Sequence, residues 1–155
     1  MSINISCSRN ANLTLIKFAK YLSKLLNLNY FPRGKGPLKN IFNKLNYLGC
    51  KYFILIKKNR LKSISILIYK NKDNSFYPER EYLIDLIDLR SFKSFKAFIP
   101  IKIKDSKNLF YFLDKNKKTV KSDFELFYEN DFFEFRFQDV FLGIKFKLLK
   151  VIMFD

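Results

Sequence analysis

The stretch INISCSRNANLTLIKFAKYLSKLLN, residues Ile3–Asn27, decides the fold class. Ile3 and Ile5 alternate with polar neighbours, the period of a short half-buried strand. Leu13, Ile16, Tyr21, Leu22, Leu25 and Leu26 then recur at roughly helical spacing, with Phe18 near the same face. Lys17, Lys20 and Lys24 lie between them, three and four apart, and so share the solvent face. Asn12 or Asn10 suits an N-cap, and a helix is expected from about Asn12 to Asn27. A strand that passes through a short polar turn into an amphipathic helix opens an α/β unit.

Outward from this stretch, Asn29-Tyr-Phe-Pro-Arg-Gly-Lys-Gly-Pro37 breaks the pattern and reads as a loop, with Pro37 fit for the first turn of the next helix. Leu38, Ile41, Phe42, Leu45 and Leu48 give helical spacing, and Gly49 is a stop signal. Lys51–Lys58 reads as a buried strand and Leu61–Tyr69 as its hairpin partner. The first half is therefore β-α-loop-α-β-β. In the second half Tyr82–Ile87, Leu109–Leu113, Phe124–Tyr128, Asp131–Phe137 and Phe141–Ile152 read as strands. Phe92, Phe95, Phe98 and Ile99 suggest a helix stopped by Pro100. The order loosely repeats the first half, without an evident residue-level repeat. The expected organisation is one continuous domain, residues 1–155, with halves of about 1–77 and 78–155.

The 155 residues carry 30 Lys and Arg against 14 Asp and Glu, a formal net charge of +16. Residues with A/T-rich codons dominate the composition, so the total says less than its distribution. From Met1 to Tyr77 there are 15 cations and one acid, Asp73, a net +14; from Pro78 to Asp155 there are 15 cations and 13 acids, a net +2. Codon bias enriches lysine throughout but does not remove acids from one half. The asymmetry suits a polyanionic partner, with a merely solubilising charge and an anionic membrane surface as the alternatives.

Histidine is absent, which excludes His-based acid–base chemistry, Ser-His-Asp and Cys-His nucleophiles and His metal sites. Two cysteines suggest neither a disulfide framework nor a zinc site, and Cys50 reads as a core residue. No P-loop, GxGxxG or CxxC is present, and the carboxylates show no metal or paired-acid spacing. No enzyme, cofactor or metal is expected. Residues 1–10 lack a signal-peptide pattern, and the apolar runs are too short to span a bilayer, so an intracellular compartment with reduced thiols is expected.

The candidate contacts follow from the turns. Arg33-Gly34-Lys35-Gly36 precedes a helix, where free N–H groups favour phosphate. Its glycines serve either close approach to an anion or positive φ. Arg9 follows the first strand and precedes the first helix; in open α/β sheets ligands bind beyond the carboxyl ends of strands. Ser8 and Asn12 are possible donors there, with helix capping the competing role for Asn12. Lys17 belongs to the basic helix face, which is either a phosphate contact or simply solvated. Phe133, Phe135 and Phe137 alternate as a core row, leaving Tyr30 and Phe31 as the better base-stacking candidates. Arg136 lies opposite that row, where Asp131 and Glu134 compete for it.

Three segments together resemble the Brix family of ribosome-biogenesis RNA-binding proteins. They are Ser8-Arg9 with Thr14, Phe18-Ala-Lys20 and Leu22; Arg33-Gly34-Lys35 with Leu38; and Gly143-Ile-Lys-Phe146 with Leu148. Ala11 and Asn12 stand where the family has Pro and Ser, Leu13 and Leu15 where it has arginines, and Ile144 and Lys145 where it has Pro and Arg. Phe98-Ile-Pro100, Asp105-Ser-Lys107, Asn130-Asp-Phe132 and Phe135-Arg136 are similar to the branch bound to the U-three small nucleolar RNA particle.

The resemblance implies two related α/β halves with mixed sheets, like anticodon-binding domains. It implies non-catalytic binding of pre-rRNA and U-three small nucleolar RNA among SSU processome proteins. Ser8, Arg9, Asn12, Lys17, Arg33, Gly34, Lys35, Gly36, Arg136 and Lys145 would be its RNA contacts. The compartment would be the nucleolus, including that of a nucleomorph, or the cytoplasm for an archaeal-type Brix factor. A ribosomal protein and an RNA-processing enzyme are the competing readings. No membrane or small-molecule substrate is implied.

Overall fold

The computed structural model describes residues 3–59, 63–90, 104–105, 107–113, 124–137 and 139–155. The chain forms two compact units: Met1–Ile84 with Leu149–Asp155, and Asp85–Leu148. The fold class is α/β with mixed strand pairing, as expected.

In the first unit β1 (Ile3–Cys7) leads into α1 (Leu13–Leu26), followed by the short β2 (Asn29–Tyr30), α2 (Leu38–Tyr47) and β3 (Tyr52–Lys58). β1 pairs in parallel with β2 on one side and β3 on the other. β4 (Ile64–Lys72) and β5 (Ser75–Leu89) continue as antiparallel neighbours. β5 starts well before the expected Tyr82, and the two-residue β2 was read as loop.

Both helices end where their sequences say. The Asn12 side-chain oxygen accepts from Leu15 N at 2.9 Å, and Asn27 closes α1 in the left-handed region. Pro37 stands at the N-cap of α2 rather than inside it, and Gly49 follows its C-cap at φ +72°. The helices cover opposite sheet faces. Leu45 of α2 packs with Phe53, Leu55 and Leu67, and Phe31, Phe42 and Tyr69 join this cluster. On the other face Cys7, paired with Ile56, meets α1 through its thiol, which donates to Leu15 O at 3.5 Å. Cys50 is buried, as expected; Asn4 Nδ2 donates to its sulfur at 3.2 Å.

The second unit takes in the end of β5, β6 (Lys104–Asp105), β7 (Phe124–Glu129), β8 (Phe132–Phe137) and most of β9 (Val140–Met153). β6 and β7 are parallel; β7, β8 and β9 are successively antiparallel. Phe133 and Phe135 are buried as the alternation requires; Phe133 stacks on Phe146 at 5.3 Å and Phe135 on Phe110 at 5.9 Å. Leu109–Leu113 is a turn, not the expected strand. Its apolar run is buried without pairing because the Asp105 carboxylate accepts from Phe110 N at 2.7 Å and curls the chain there. The helix expected at residues 92–99 lies outside the described residues. Among the described residues no helix is long and apolar enough to cross a membrane, and no three His, Cys, Asp or Glu side chains converge.

Each unit has a parallel pair followed by an antiparallel run: β1, β3, β4, β5 in the first, and β6, β7, β8, β9 in the second. This correspondence exposes a residue-level repeat. Ile3-x-Ile5-x-x-Ser8-Arg9-Asn10 returns as Ile101-x-Ile103-x-x-Ser106-Lys107-Asn108. Asn10 and Asn108 both hold positive φ, 60° and 54°.

Replacing Asn12 by Ala removes the cap of α1 and is expected to lower unfolding free energy by about 1 kcal/mol. Urea denaturation reads this directly, and an unchanged midpoint would mean that Asn12 does not carry the cap.

Candidate nucleic-acid interface

The strand order β2-β1-β3 reverses direction at β1. The chain leaves β1 through α1 to reach β2 on one side, then through α2 to reach β3 on the other. The turns after β1 and β2 therefore diverge, and a cleft opens beyond the carboxyl end of β1. Doubly wound sheets bind ligands at such a switch point.

The cleft has a volume of about 640 Å³. The turn after β1 contributes Ser8 and Arg9, and the turn after β2 contributes Arg33, Gly34 and Lys35. Lys20 reaches it from α1, and Tyr30 from β2. Four of the lining residues are cationic and none is acidic.

Backbone ties hold this shape. Ser8 N donates to Ile56 O at 2.9 Å, fixing the first turn on β3. Phe31 N donates to Ile5 O at 3.2 Å, and Ser6 Oγ to Phe31 O at 2.8 Å, fixing the second on β1. Arg9 Nη1 joins the two turns by donating to Lys35 O at 3.4 Å.

Arg33 is the informative residue. Its Nε and Nη1 atoms are buried and have no hydrogen-bond partner. Its proton affinity is lowered, first by burial of the guanidinium and second by the charge of Arg9. Two like charges are thus held together with donors unpaired, an arrangement that costs stability until an anion arrives. A phosphate oxygen between them would satisfy those donors and cancel the repulsion.

Tyr30 and Phe31 point to opposite faces, as neighbours on a strand must. Phe31 packs 6.0 Å from Phe53 in the α2 cluster, which withdraws it as a stacking candidate. Tyr30 lines the cleft beside Cys7, with Lys20 Nζ 5.7 Å from its ring centre. Burial raises the Cys7 thiol from its ordinary 9.0 to about 11, only partly opposed by Tyr30 and Lys20. Cys7 is therefore held as a neutral thiol rather than as a reactive thiolate.

Ser8, Arg9, Arg33, Gly34 and Lys35 are brought together by the fold. Asn12 serves α1, Lys17 is exposed on the helix, and Gly36 stands outside the cleft. The helix that adjoins the cleft is α1, through Ile16 and Lys20, whereas the first turn of α2 does not line it. Neither Gly34 nor Gly36 has positive φ, and a Cβ on Gly34 would meet nothing within 4 Å. Positive φ is therefore not the reason for either glycine; Gly34 leaves the rim open.

Arg136 and Lys145 belong to the second unit, where each covers an aromatic ring. The Arg136 guanidinium lies 3.6 Å from the centre of Phe127 and pairs with Glu134; Lys145 Nζ lies 5.2 Å from the centre of Phe132. In the second copy of the Ser-Arg-Asn turn, Asp105 replaces Cys7 and Lys107 rests 4.6 Å from the ring centre of Tyr128. A phosphate there would meet a carboxylate. Lys20 and Tyr30 complete the first cleft; the sequence offered Lys20 only on the basic helix face and in the Ser8-Arg9 segment, and Tyr30 as a stacking candidate, without bringing the two together.

No protein-family model matches the chain, and no curated protein matches it in sequence. Solved structures do. An archaeal Imp4-like protein matches with a TM-score of 0.70 at 12% identity, over 97% of this chain and 99% of its own. A protein from Aeropyrum pernix K1, described as a probable ribosomal biogenesis protein, matches with a TM-score of 0.69 at 15% identity, over 96% of each chain. The likeness is one of fold, and it extends over both units.

Two tests follow from the cleft. Arg33→Met removes the unpaired guanidinium, so the ligand-free variant should be as stable as the wild type or up to about 1 kcal/mol more stable. Sulfate should then raise the melting temperature of the wild type more than that of the variant; an equal response would place the anion elsewhere. For Cys7, the native state keeps a proton that the unfolded chain loses above pH 9, so stability should fall as pH rises from about 9 to 11. Cys7→Ala should make that decline shallower, and an identical pH profile would contradict the buried neutral thiol.

Proposed function

We propose that this chain is a Brix-type, non-catalytic RNA-binding factor of ribosome assembly, and that the cleft beyond β1 is its phosphate site. One observation carries the reading: Arg33, with two buried unpaired donors, faces Arg9 in a cleft lined by four cations and no acid. A site that holds like charges together without an internal counter-ion is built for an anion from outside. The acid-poor first half extends the same positive field beyond the cleft, as an anion of many charges requires.

The Ser8-Arg9, Arg33-Gly34-Lys35 and Gly143-Ile-Lys-Phe146 segments, together with the fold shared with an archaeal Imp4-like protein and a probable ribosomal biogenesis protein, support the Brix assignment. The finer assignment rests on the order of the second-half motifs. In that reading the chain binds pre-rRNA and U-three small nucleolar RNA in the SSU processome, within a nucleolus. Neutralising phosphates on two strands lowers the repulsion that opposes their pairing. The more balanced charge of the second half suits contacts with basic proteins of the same particle. The archaeal fold neighbours favour the second reading, an archaeal-type Brix factor acting without a nucleolus.

Counterion release gives the test. If about six phosphates are contacted, log K for RNA should fall with log salt at a slope near −4 to −5. Changing Arg33 and Lys35 together to Ala should flatten that slope by about one to two units. A slope that stays the same would make the turn structural and place RNA elsewhere.

A further inference from the structure

The cleft is recessed and only partly polar, which bears on the kind of RNA that fits it. Its volume of about 640 Å³ is that of a small-ligand pocket rather than of an open basic surface. The unpaired donors of Arg33 are sequestered from solvent, so the group they bind must enter. Beside the cations stand apolar walls, Ala11, Ile16 and Pro32, and the half-buried ring of Tyr30. A bare phosphate needs none of these, whereas a nucleoside does.

Tyr30 is fitted to meet a base. Its half-buried ring forms part of the cleft wall next to Cys7, which is 1% exposed. Its place on β2 and its partial burial limit the ring's freedom before any ligand binds, and an aromatic with little freedom to lose stacks at low entropic cost. Lys20 beside the ring adds a cation where a nucleotide would bring its negative charge.

We propose, building on the RNA-binding reading, that the cleft receives one unpaired nucleotide at a time. Its phosphate sits between Arg9 and Arg33, and its base lies against Tyr30. The chain accordingly selects single-stranded RNA over duplex. In an A-form duplex the bases are stacked and paired inside, and only the backbone and shallow groove are offered. A duplex can touch the rim through Lys35, but it cannot place a base on Tyr30 without unpairing it.

The test uses the full chain and a labelled ten-nucleotide RNA without self-structure, alone and annealed to its complement, at one fixed salt concentration. Fluorescence anisotropy should show the single strand bound about tenfold more tightly. Tyr30→Leu should lower single-strand affinity by a similar factor and leave duplex affinity unchanged, while Tyr30→Phe keeps the preference because it keeps the ring. Should Tyr30→Leu fail to fold, 2-aminopurine placed in the single strand supplies a second readout on the wild type. Its emission should be quenched on binding, and Arg33→Gln should abolish the quenching. Duplex bound as tightly as single strand, or emission left unquenched in the complex, would overturn the proposal while leaving RNA binding intact. Absence of binding to either RNA would overturn the RNA-binding reading, and the proposal with it.

Discussion

A five-residue strand, β1, constrains the first unit. Hydrogen-bonded in parallel on both sides, it satisfies its backbone only if the chain returns to it twice in the same direction. Parallel return needs a crossover, and an amphipathic helix supplies one each time. Because β2 and β3 lie on opposite sides of β1, the crossovers cover opposite faces, and their first turns part at the strand's end. The cleft, its basic rim and the position of Arg33 all descend from that reversal.

Much of this was readable beforehand because it rests on local rules. Helical spacing with Asn12 in front and Asn27 behind fixed α1, and Gly49 ended α2. The misses have physical causes. β2 is two residues long, too short for any periodicity, and it exists only because β1 offers it an edge. Leu109–Leu113 is apolar because it is buried; whether it is strand or turn was settled by the Asp105 carboxylate. The turns were muted because this chain has only four glycines. Every positive-φ non-glycine among the described residues is Asn or Asp, the residues that tolerate the left-handed region. In a composition rich in Asn, that signal is easily taken for background. The repeat of Ser8-Arg9-Asn10 in Ser106-Lys107-Asn108 was hidden for a related reason: only matching strand topology picks it out from a Lys- and Asn-rich sequence.

The candidate site was half legible. Arg9 and Arg33-Gly34-Lys35 are carried by turns, and the strand–turn–helix grammar points to them. Lys20 and Tyr30 come from regular elements; the sequence singles out each on its own, and nothing local shows that they meet at one cleft. Their part depends on which way α1 and β2 face. The two copies of the turn also divide the work. The first keeps a neutral thiol beside its arginine and stands next to the open guanidinium donors of Arg33 in the turn after β2. The second has a carboxylate in that place, and its lysine lies over an aromatic ring. The asymmetry that shows as +14 and +2 in the sequence thus recurs at single-residue scale, with the open cationic turn in the acid-poor half.

On the proposed reading, the first unit is the RNA-facing part of a ribosome-assembly factor and the second is left for other contacts. Crosslinking in living cells, with both the RNA and the modified peptide identified, tests that division most directly. The account predicts ribosomal precursor RNA attached to peptides within Ser8–Lys35. Crosslinks concentrated in Asp85–Leu148, or peptides carrying no ribosomal RNA, would contradict it.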